Sequence, residues 1–371
     1  MLNFDKLVKN YYATLHNIPE PAFQEFRTAE FLAAQLQSFG YDVQTSVGGT
    51  GVVGTLKSAE LGPTVALRAD MDCLLHQING KDTAVHSCGH DGHCAMVLTV
   101  AKLIADNQPT SGSFKIIFQP AEETLQGAEA VYRSGIIDDV DYLLGVHLRT
   151  KAQAPMGKAT AAIYFGGSSV LRAVISGKTA HGARPHLGIS AIDAVGAIIY
   201  GVNAIHLDPT EAWSVKTTRI SAGNSANAIC DYAEMYFDLR AQKNELLQEL
   251  VKKTMDTIKN SAAIVGAQAE VQVVSGVPAA IYYQPLVDVA KNCIIKELGS
   301  DQLLPDEITP GGEDFHVYAS KKPELKTAYI GIGCDMLPGL HDPSMSFNQD
   351  ALIDGVKILE SIVRTIYKEL P

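Results

Sequence analysis

Apolar residues recur at Phe4, Leu7, Val8, Tyr11 and Leu15, the spacing of one helix face, and the stripe stops before HNIPEP, where two prolines forbid continuation. A second helix is predicted from about Arg27 to Phe39, with Gly40 as its stop. Short apolar runs bounded by turn residues follow: VVGTL at 52–56, TVALRA at 64–69, FKIIFQ at 114–119 and YLLGVH at 142–147. Runs of this length predict buried strands. Helical patterns lie between them, CAMVLTVAKLIAD from Cys94 and GAEAVYRSG from Gly127. The alternation predicts an α/β fold, a largely parallel sheet with helices on both faces.

From about Ser168 the order changes. VLRAVIS, WSVKTTRIS, CDYAEMYFDLRA and AEVQVVS read as strands, and Ile189–Ile205 and Glu245–Ile264 as helices. That sequence is β-α-β-β-α-β, a split-βαβ domain, and the stripe Ile189, Ile192, Val195, Ile199, Val202 supplies a helix face to cover its sheet. Afterwards QPLVDVAKNCIIKEL reads as a helix and TAYIGIG as a buried strand of the earlier kind. The smaller domain, 166–275, therefore reads as an insertion into a larger one made of 1–165 and 276–371.

The chain has 371 residues, 46% hydrophobic and 19% charged, enough for a large core and two domains and incompatible with disorder. A net charge of −11 without a basic cluster excludes a nucleic-acid partner. The start, MLNFDKLVKNYY, lacks the pattern of a secretory leader, and no apolar run reaches about 18 residues, so a cytoplasmic chain without membrane contact is expected. Six cysteines (73, 88, 94, 230, 293, 334) are too sparse for a disulfide framework, and none forms a CxxC pair.

Three predicted strands end in polar residues that an apolar core does not need: Asp70 and Asp72 after TVALRA, Glu122 and Glu123 after FKIIFQPA, and His147 after YLLGV. Ligand sites of open α/β sheets lie at the carboxyl ends of strands. HSCGHDGHC falls in the same region, with a helix expected to start near His93. Cys88 and His90, two residues apart on a turn, can reach one metal ion or two adjacent ones. With Glu123, His147 and the late His341 of LPGLHDP, five side chains suited to a borderline divalent metal come together through the fold. Taken singly, Cys88 equally reads as a small buried hydrophobe, His147 as a hydrogen-bonded core histidine, and Glu122 with Glu123 as an acidic helix entry.

The strings HNIPEPAFQE, LRADMD, HSCGHDGHCAM, FQPAEE followed by GA, GVH, AHGARPH, NAICD, GGEDF and GLHDP run in the order of the M20 peptidase family, and the chain resembles its amidohydrolase branch. That branch includes N-acyl-amino-acid amidohydrolases, hippurate hydrolases and auxin-conjugate hydrolases. The resemblance implies a metal-binding α/β domain interrupted by a smaller lid domain. It implies two divalent ions on Cys88, His90, Glu123, His147 and His341, with Cys88 bridging, Glu122 as general base and Asp72 orienting a ligand. In the lid it implies that His181 steadies the oxyanion and that Asn227 and Arg240 meet the substrate's carbonyl and carboxylate, with a homodimer formed through the lid. The chain departs from the common pattern at HSCGHD, where HACGHD is usual, at Cys73-Leu74-Leu75-His76, and in the lid entry AAIYFGGSS.

The expected activity is hydrolysis of the amide of an N-acyl amino acid or related small conjugate by a metal-activated water. Thiolate, imidazole and carboxylate together permit Zn, Mn, Co or Ni, and Mn or Zn is expected. The rival expectations are a dipeptidase or aminopeptidase using the same centre, and a metal-bound protein that binds a small amide without cleaving it. A redox role for Cys88 has no resolving CxxC partner to support it.

Overall fold

The structure, a computed structural model, describes residues 4–370. The chain divides into two compact units, one holding the residues up to Ile163, Ile281–Glu307 and those from Asp314 on, the other holding Tyr164–Ala280 and Ile308–Glu313. The boundaries read from the sequence, 166 and 275, fall just inside the second unit, and Ile308–Glu313 was not expected there.

The first unit is built on an eight-stranded sheet in the spatial order Asp42–Val47, Gly51–Lys57, Ser111–Gln119, Glu60–Asp70, Tyr142–Thr150, Lys326–Met336, Ala159–Thr160, Leu303–Leu304. The four strands from Ser111–Gln119 to Lys326–Met336 run parallel. Beyond them the pairing with Gly51–Lys57, Asp42–Val47 and Ala159–Thr160 is antiparallel, so the expected largely parallel sheet is parallel in its middle and mixed outside. The cause is local. Asp42–Val47 joins Gly51–Lys57 through a short turn in which Gly48 and Gly49 have φ of 61° and 119°, and a connection that short can only reverse the chain. Thr64 to Asp70 are all buried, and because successive strand residues face opposite ways, both faces of the sheet are covered.

The helix His90–Asp106 packs on Phe4–His16, on the strand Glu60–Asp70 and on Ala351–Glu369, a C-terminal helix absent from the reading above. It starts at His90, one turn earlier than expected. Gly89 with φ 90° swings the chain from Cys88 directly into the first turn, where the Asp91 carboxylate accepts from the Gly92 amide at 2.8 Å. The hairpin Leu74–Ile78 with Lys81–Val85 was also unforeseen.

The second unit has a four-stranded antiparallel sheet ordered Trp213–Ala222, Tyr232–Ala241, Gly167–Ser176, Gln268–Val277. Its two central strands alternate buried and half-exposed positions, and the buried set, including Leu171, Ile175, Met235 and Phe237, packs against the helices Ala191–Asn203 and Asn244–Ile264. Ser190 caps the first of these by accepting from the Asp193 amide at 3.0 Å. This is the β-α-β-β-α-β order of the alternation, and the whole is the expected α/β fold with a smaller domain inserted. Among the described residues no helix is long and apolar enough to cross a membrane.

One histidine makes the fold of the first unit sensitive to acid. His316, 1% exposed, lies among Phe315, Tyr329 and Tyr282, and burial, helped by Arg68, pushes its pKa from 6.5 to about 3. Its contribution is intact above the unfolded pKa and is lost as pH falls below it, because the unfolded chain then takes a proton that the folded chain refuses. In urea denaturation with chelator present, going from pH 7 to pH 5 costs wild type about 2 kcal/mol more than His316→Phe, at about 1.4 kcal/mol per pH unit below 6.5. Equal losses in the two proteins would clear His316 of this role.

Candidate metal centre

The parallel middle of the sheet points three strand ends at one place. Glu60–Asp70 runs into Met71 and Asp72, and Ser111–Gln119 leads to Glu122 and Glu123. His147 lies inside its strand, which continues to Thr150 instead of ending at the histidine as expected. The turn Cys88–Gly89 and the loop carrying His341 complete the ring. The side-chain atoms converge: Cys88 Sγ is in hydrogen-bond contact with His147 Nε2 at 3.6 Å, His90 Nε2 lies 3.7 Å from Glu123 Oε1, and His341 Nε2 lies 3.5 Å from Glu123 Oε2. Atoms bound at ordinary zinc distances, about 2.0–2.3 Å, stand roughly 3.4 Å apart around a tetrahedral ion. Cys88, His90 and His147 form one group within reach of a single ion, and Cys88, Glu123 and His341 form another. Cys88 belongs to both.

The hydrogen bonds behind this ring settle which nitrogens are bare. His147 Nδ1 is 2.6 Å from the Leu148 carbonyl, and His90 Nδ1 is 3.0 Å from the Asp72 carbonyl. A carbonyl only accepts, so both histidines carry the proton on Nδ1 and turn an Nε2 lone pair inward. Asp72 ties two of the loops together, with Oδ1 3.2 Å from His90 Nδ1 and Oδ2 accepting from the Glu123 amide at 3.0 Å. His90 Nε2 and Glu123 Oε1 are buried without a hydrogen bond, a costly arrangement that a bound cation removes.

Electrostatics agree for every ligand but His90, where Asp70 favours the charged ring and an Nε2 proton has to leave when a cation binds. Burial pushes the Glu123 carboxyl up to about 7, and burial followed by Glu123 itself pushes the Cys88 thiol well above its ordinary value. Burial also holds His147 neutral. Burial opposes charge on His90 too, but Asp70 and Cys88 outweigh it and raise its pKa. An anionic cysteine beside an anionic glutamate in this dry place requires a positive charge between them, so the residues present fit divalent ions. Glu122, 7% exposed, has its Oε2 3.9 Å from His90 Nε2, beside the ligand set.

Behind the ring lies a layer that the sequence reading left largely unassigned. Asp70 Oδ1 takes the Nδ1 proton of His93 at 2.6 Å, and His93 Nε2 accepts from the Leu148 amide at 2.9 Å, fixing the backbone next to His147. By spacing, Asp70, His90 and His93 could also share an ion. Both nitrogens of His93 are taken, however, and the Arg68 guanidinium is 2.7 Å from Asp70 Oδ2. This is a hydrogen-bonded network. His93, one helical turn after His90, was the signal for it.

In the second unit the structure brings two predicted residues together. His181 is exposed on Ala180–His181, which pairs with Ala228–Ile229; its Nδ1 accepts from the Ala183 amide at 3.0 Å, leaving the proton on Nε2. The Asn227 carbonyl accepts from the Gly182 amide at 2.8 Å, and its Oδ1 from Ser225 Oγ at 2.8 Å. Arg240 stands apart on Tyr232–Ala241, forked onto Asp238 at 3.0–3.2 Å.

The model of peptidase family M20/M25/M40 matches residues 66–365, the stretch that holds every member of the ring, and the chain belongs to this family: it is a metal-dependent hydrolase of amide bonds. Among individual proteins it is 31% identical to the N-acetylcysteine deacetylase of Bacillus subtilis, over 92% of each chain. It is 32% identical to thermostable carboxypeptidase 1 of Saccharolobus solfataricus, over 83% of this chain and 82% of that one. The crystal structure of the Bacillus subtilis YXEP protein, described as a dinuclear metal binding peptidase from the M20 family, superposes with a TM-score of 0.83 at 28% identity, covering 98% of this chain and 99% of that one.

The layer behind the ring is open to a direct stability test. Arg68→Leu leaves Asp70 and Asp314 buried without their cation, and urea denaturation is expected to show a loss of about 3–5 kcal/mol. A loss below about 1 kcal/mol would mean that the two carboxylates are satisfied without Arg68.

Proposed function

We propose that this protein hydrolyses the amide bond of N-acyl amino acids or related small conjugates, using two divalent ions, manganese or zinc, held by Cys88, His90, Glu123, His147 and His341. The observation that carries this reading is the inward-facing ring with two buried, unbonded ligand atoms and a further carboxylate, Glu122, at its edge. Ions bound there supply the Lewis acidity that polarises an amide carbonyl and acidifies a water. Cys88, shared by both ligand groups, would be the ligand common to the two ions. Glu122 removes the proton as the water oxygen bonds to the carbonyl carbon, then returns it to the amine nitrogen as the C–N bond breaks. Asp72 keeps His90 and the Glu123 backbone in place throughout. His181 offers its Nε2 proton to the developing oxyanion, and Asn227 assists at the carbonyl. Arg240 exchanges its fork on Asp238 for the substrate carboxylate.

The N-acyl amino acid is favoured by the likeness to a deacetylase of N-acetylcysteine over almost the whole chain. The likeness to a carboxypeptidase supports a second reading, cleavage of small peptides at the same centre. A purely binding role has no use for Glu122 beside a ligand set.

Amine release from a panel of N-acetyl and N-benzoyl amino acids and free dipeptides, with and without chelator, separates these readings. Release from the N-acyl compounds that stops with chelator supports the proposal. Release from dipeptides alone favours the peptidase, and none from any member overturns the proposed substrate class. Glu122→Gln is expected to keep its metal and lose about 10²–10⁴-fold in kcat. Cys88→Ala is expected to lower the metal-to-chain ratio measured by elemental analysis; an unchanged ratio contradicts the bridging place.

A further inference from the structure

Glu25 has no exposure to solvent and precedes the helix Phe26–Ser38. Both of its oxygens are engaged at a distance in sequence: Oε1 accepts from the Ala121 amide at 2.9 Å, and Oε2 accepts from the Thr50 hydroxyl. Ala121 is the residue before Glu122 and Glu123. Its φ is 55°, the left-handed region that residues with a Cβ avoid. The chain is knotted around this peptide. The Ala121 carbonyl accepts from the amides of Gln126 and Gly127 at 3.3 and 3.2 Å and from the Thr124 hydroxyl at 3.2 Å. Gly127 packs so closely that a Cβ there would lie 1.6 Å from the Pro120 carbonyl oxygen.

One left-handed residue thus decides the directions in which two consecutive carboxylates leave the chain. Glu123 turns to His90 and His341, and Glu122 keeps its place at the edge. A carboxyl group is costly to bury, and burial does push that of Glu25 up. An alanine at left-handed φ is costly as well. The two meet in a single hydrogen bond.

We propose that Glu25 is a positioning residue of the metal centre: its Oε1, by holding the Ala121 amide, holds the left-handed turn that aims Glu122 and Glu123. This rests on the function proposed above. It differs from a packing role in one respect, namely that the need for Glu25 falls when the turn itself becomes easy.

Four full-length proteins test it: wild type, Glu25→Gln, Glu25→Ala, and Glu25→Ala combined with Ala121→Gly. Glutamine keeps a carbonyl oxygen to accept from the Ala121 amide, and glycine takes the left-handed turn without strain. Cobalt(II) affinity of the metal-stripped proteins is expected to be about 10-fold weaker in Glu25→Ala, and kcat about 30-fold lower with KM within roughly 3-fold. Glu25→Gln should stay within about 3-fold of wild type on both measures, and the double variant should recover most of both losses. Wild-type behaviour of Glu25→Ala overturns the proposal, as does equal damage in Glu25→Gln or no recovery with Ala121→Gly. If wild type releases no amine from any N-acyl amino acid, the proposed function falls and the cobalt measurement alone decides about Glu25. Should Glu25→Ala not fold, Glu25→Asp, which draws the acceptor back by one methylene, takes its place in the same comparison.

Discussion

Arg68 is a guanidinium sealed from solvent in the middle of a sheet, and what it grips sets the geometry of the centre. Nη1 donates to Asp70, Nη2 to Asp314 at 2.8 Å and Nε to the Gln119 side chain at 2.9 Å. From Asp70 the chain of bonds passes through His93 to the amide beside His147. From Asp314 it passes to the Ala128 amide at 2.8 Å, just after the Glu122–Glu123 loop. One cation therefore anchors the backbone on two sides of the ring. Desolvating so many charges costs several kcal/mol for each ion, and fork geometry with nearly every lone pair used is what makes the arrangement stable. A lysine could not reach three acceptors in one plane.

Much of this was legible in the chain. The buried runs at 52–56, 64–69, 114–119 and 142–147 are strands, because consecutive apolar residues suit a sheet covered on both faces. The strand order after Ser168 carries the smaller domain, but the helix stripe from Ile189 holds only in part: the helix begins at Ala191, and its buried face is Ala191, Ala194, Val195, Ile198 and Val202, with Ile192 exposed. Cys88, His90, Glu123, His147 and His341 do converge, since a parallel sheet delivers its strand ends to one edge. What stayed hidden has physical causes. The antiparallel outermost pair depends on the positive φ of Gly48 and Gly49, which a glycine pair permits but does not dictate. The early start of the helix at His90 depends on Gly89 in the same way. The grip of Glu25 on Ala121 spans 96 residues and leaves no local pattern.

The supporting layer was the hardest to read because its members look ordinary one at a time. Arg68 interrupts an apolar run where a reader expects a solvated face, and it is fully buried. His93 is one of several histidines in a short stretch, and only the bonds on its two nitrogens separate it from the ligand-like His90. In the second unit the distinction runs the other way. His181 and Asn227 are exposed and held by short-range bonds to neighbouring amides and hydroxyls, so their local motif describes most of their surroundings. Arg240 has a partner in Asp238 that its motif does not reveal.

The ring is not equally enclosed. The side chains of His90 and Glu123 are 1% and 8% exposed, Cys88 and His147 are buried, and His341 is 56% exposed on a residue with φ 65°. The exposed ligand is tied to the turn that carries Cys88, its own amide donating to the Ser87 carbonyl at 2.7 Å. His341 is accordingly the one ligand of the five whose imidazole solvent touches freely, so an incoming ion can exchange water for this nitrogen before it meets the buried four.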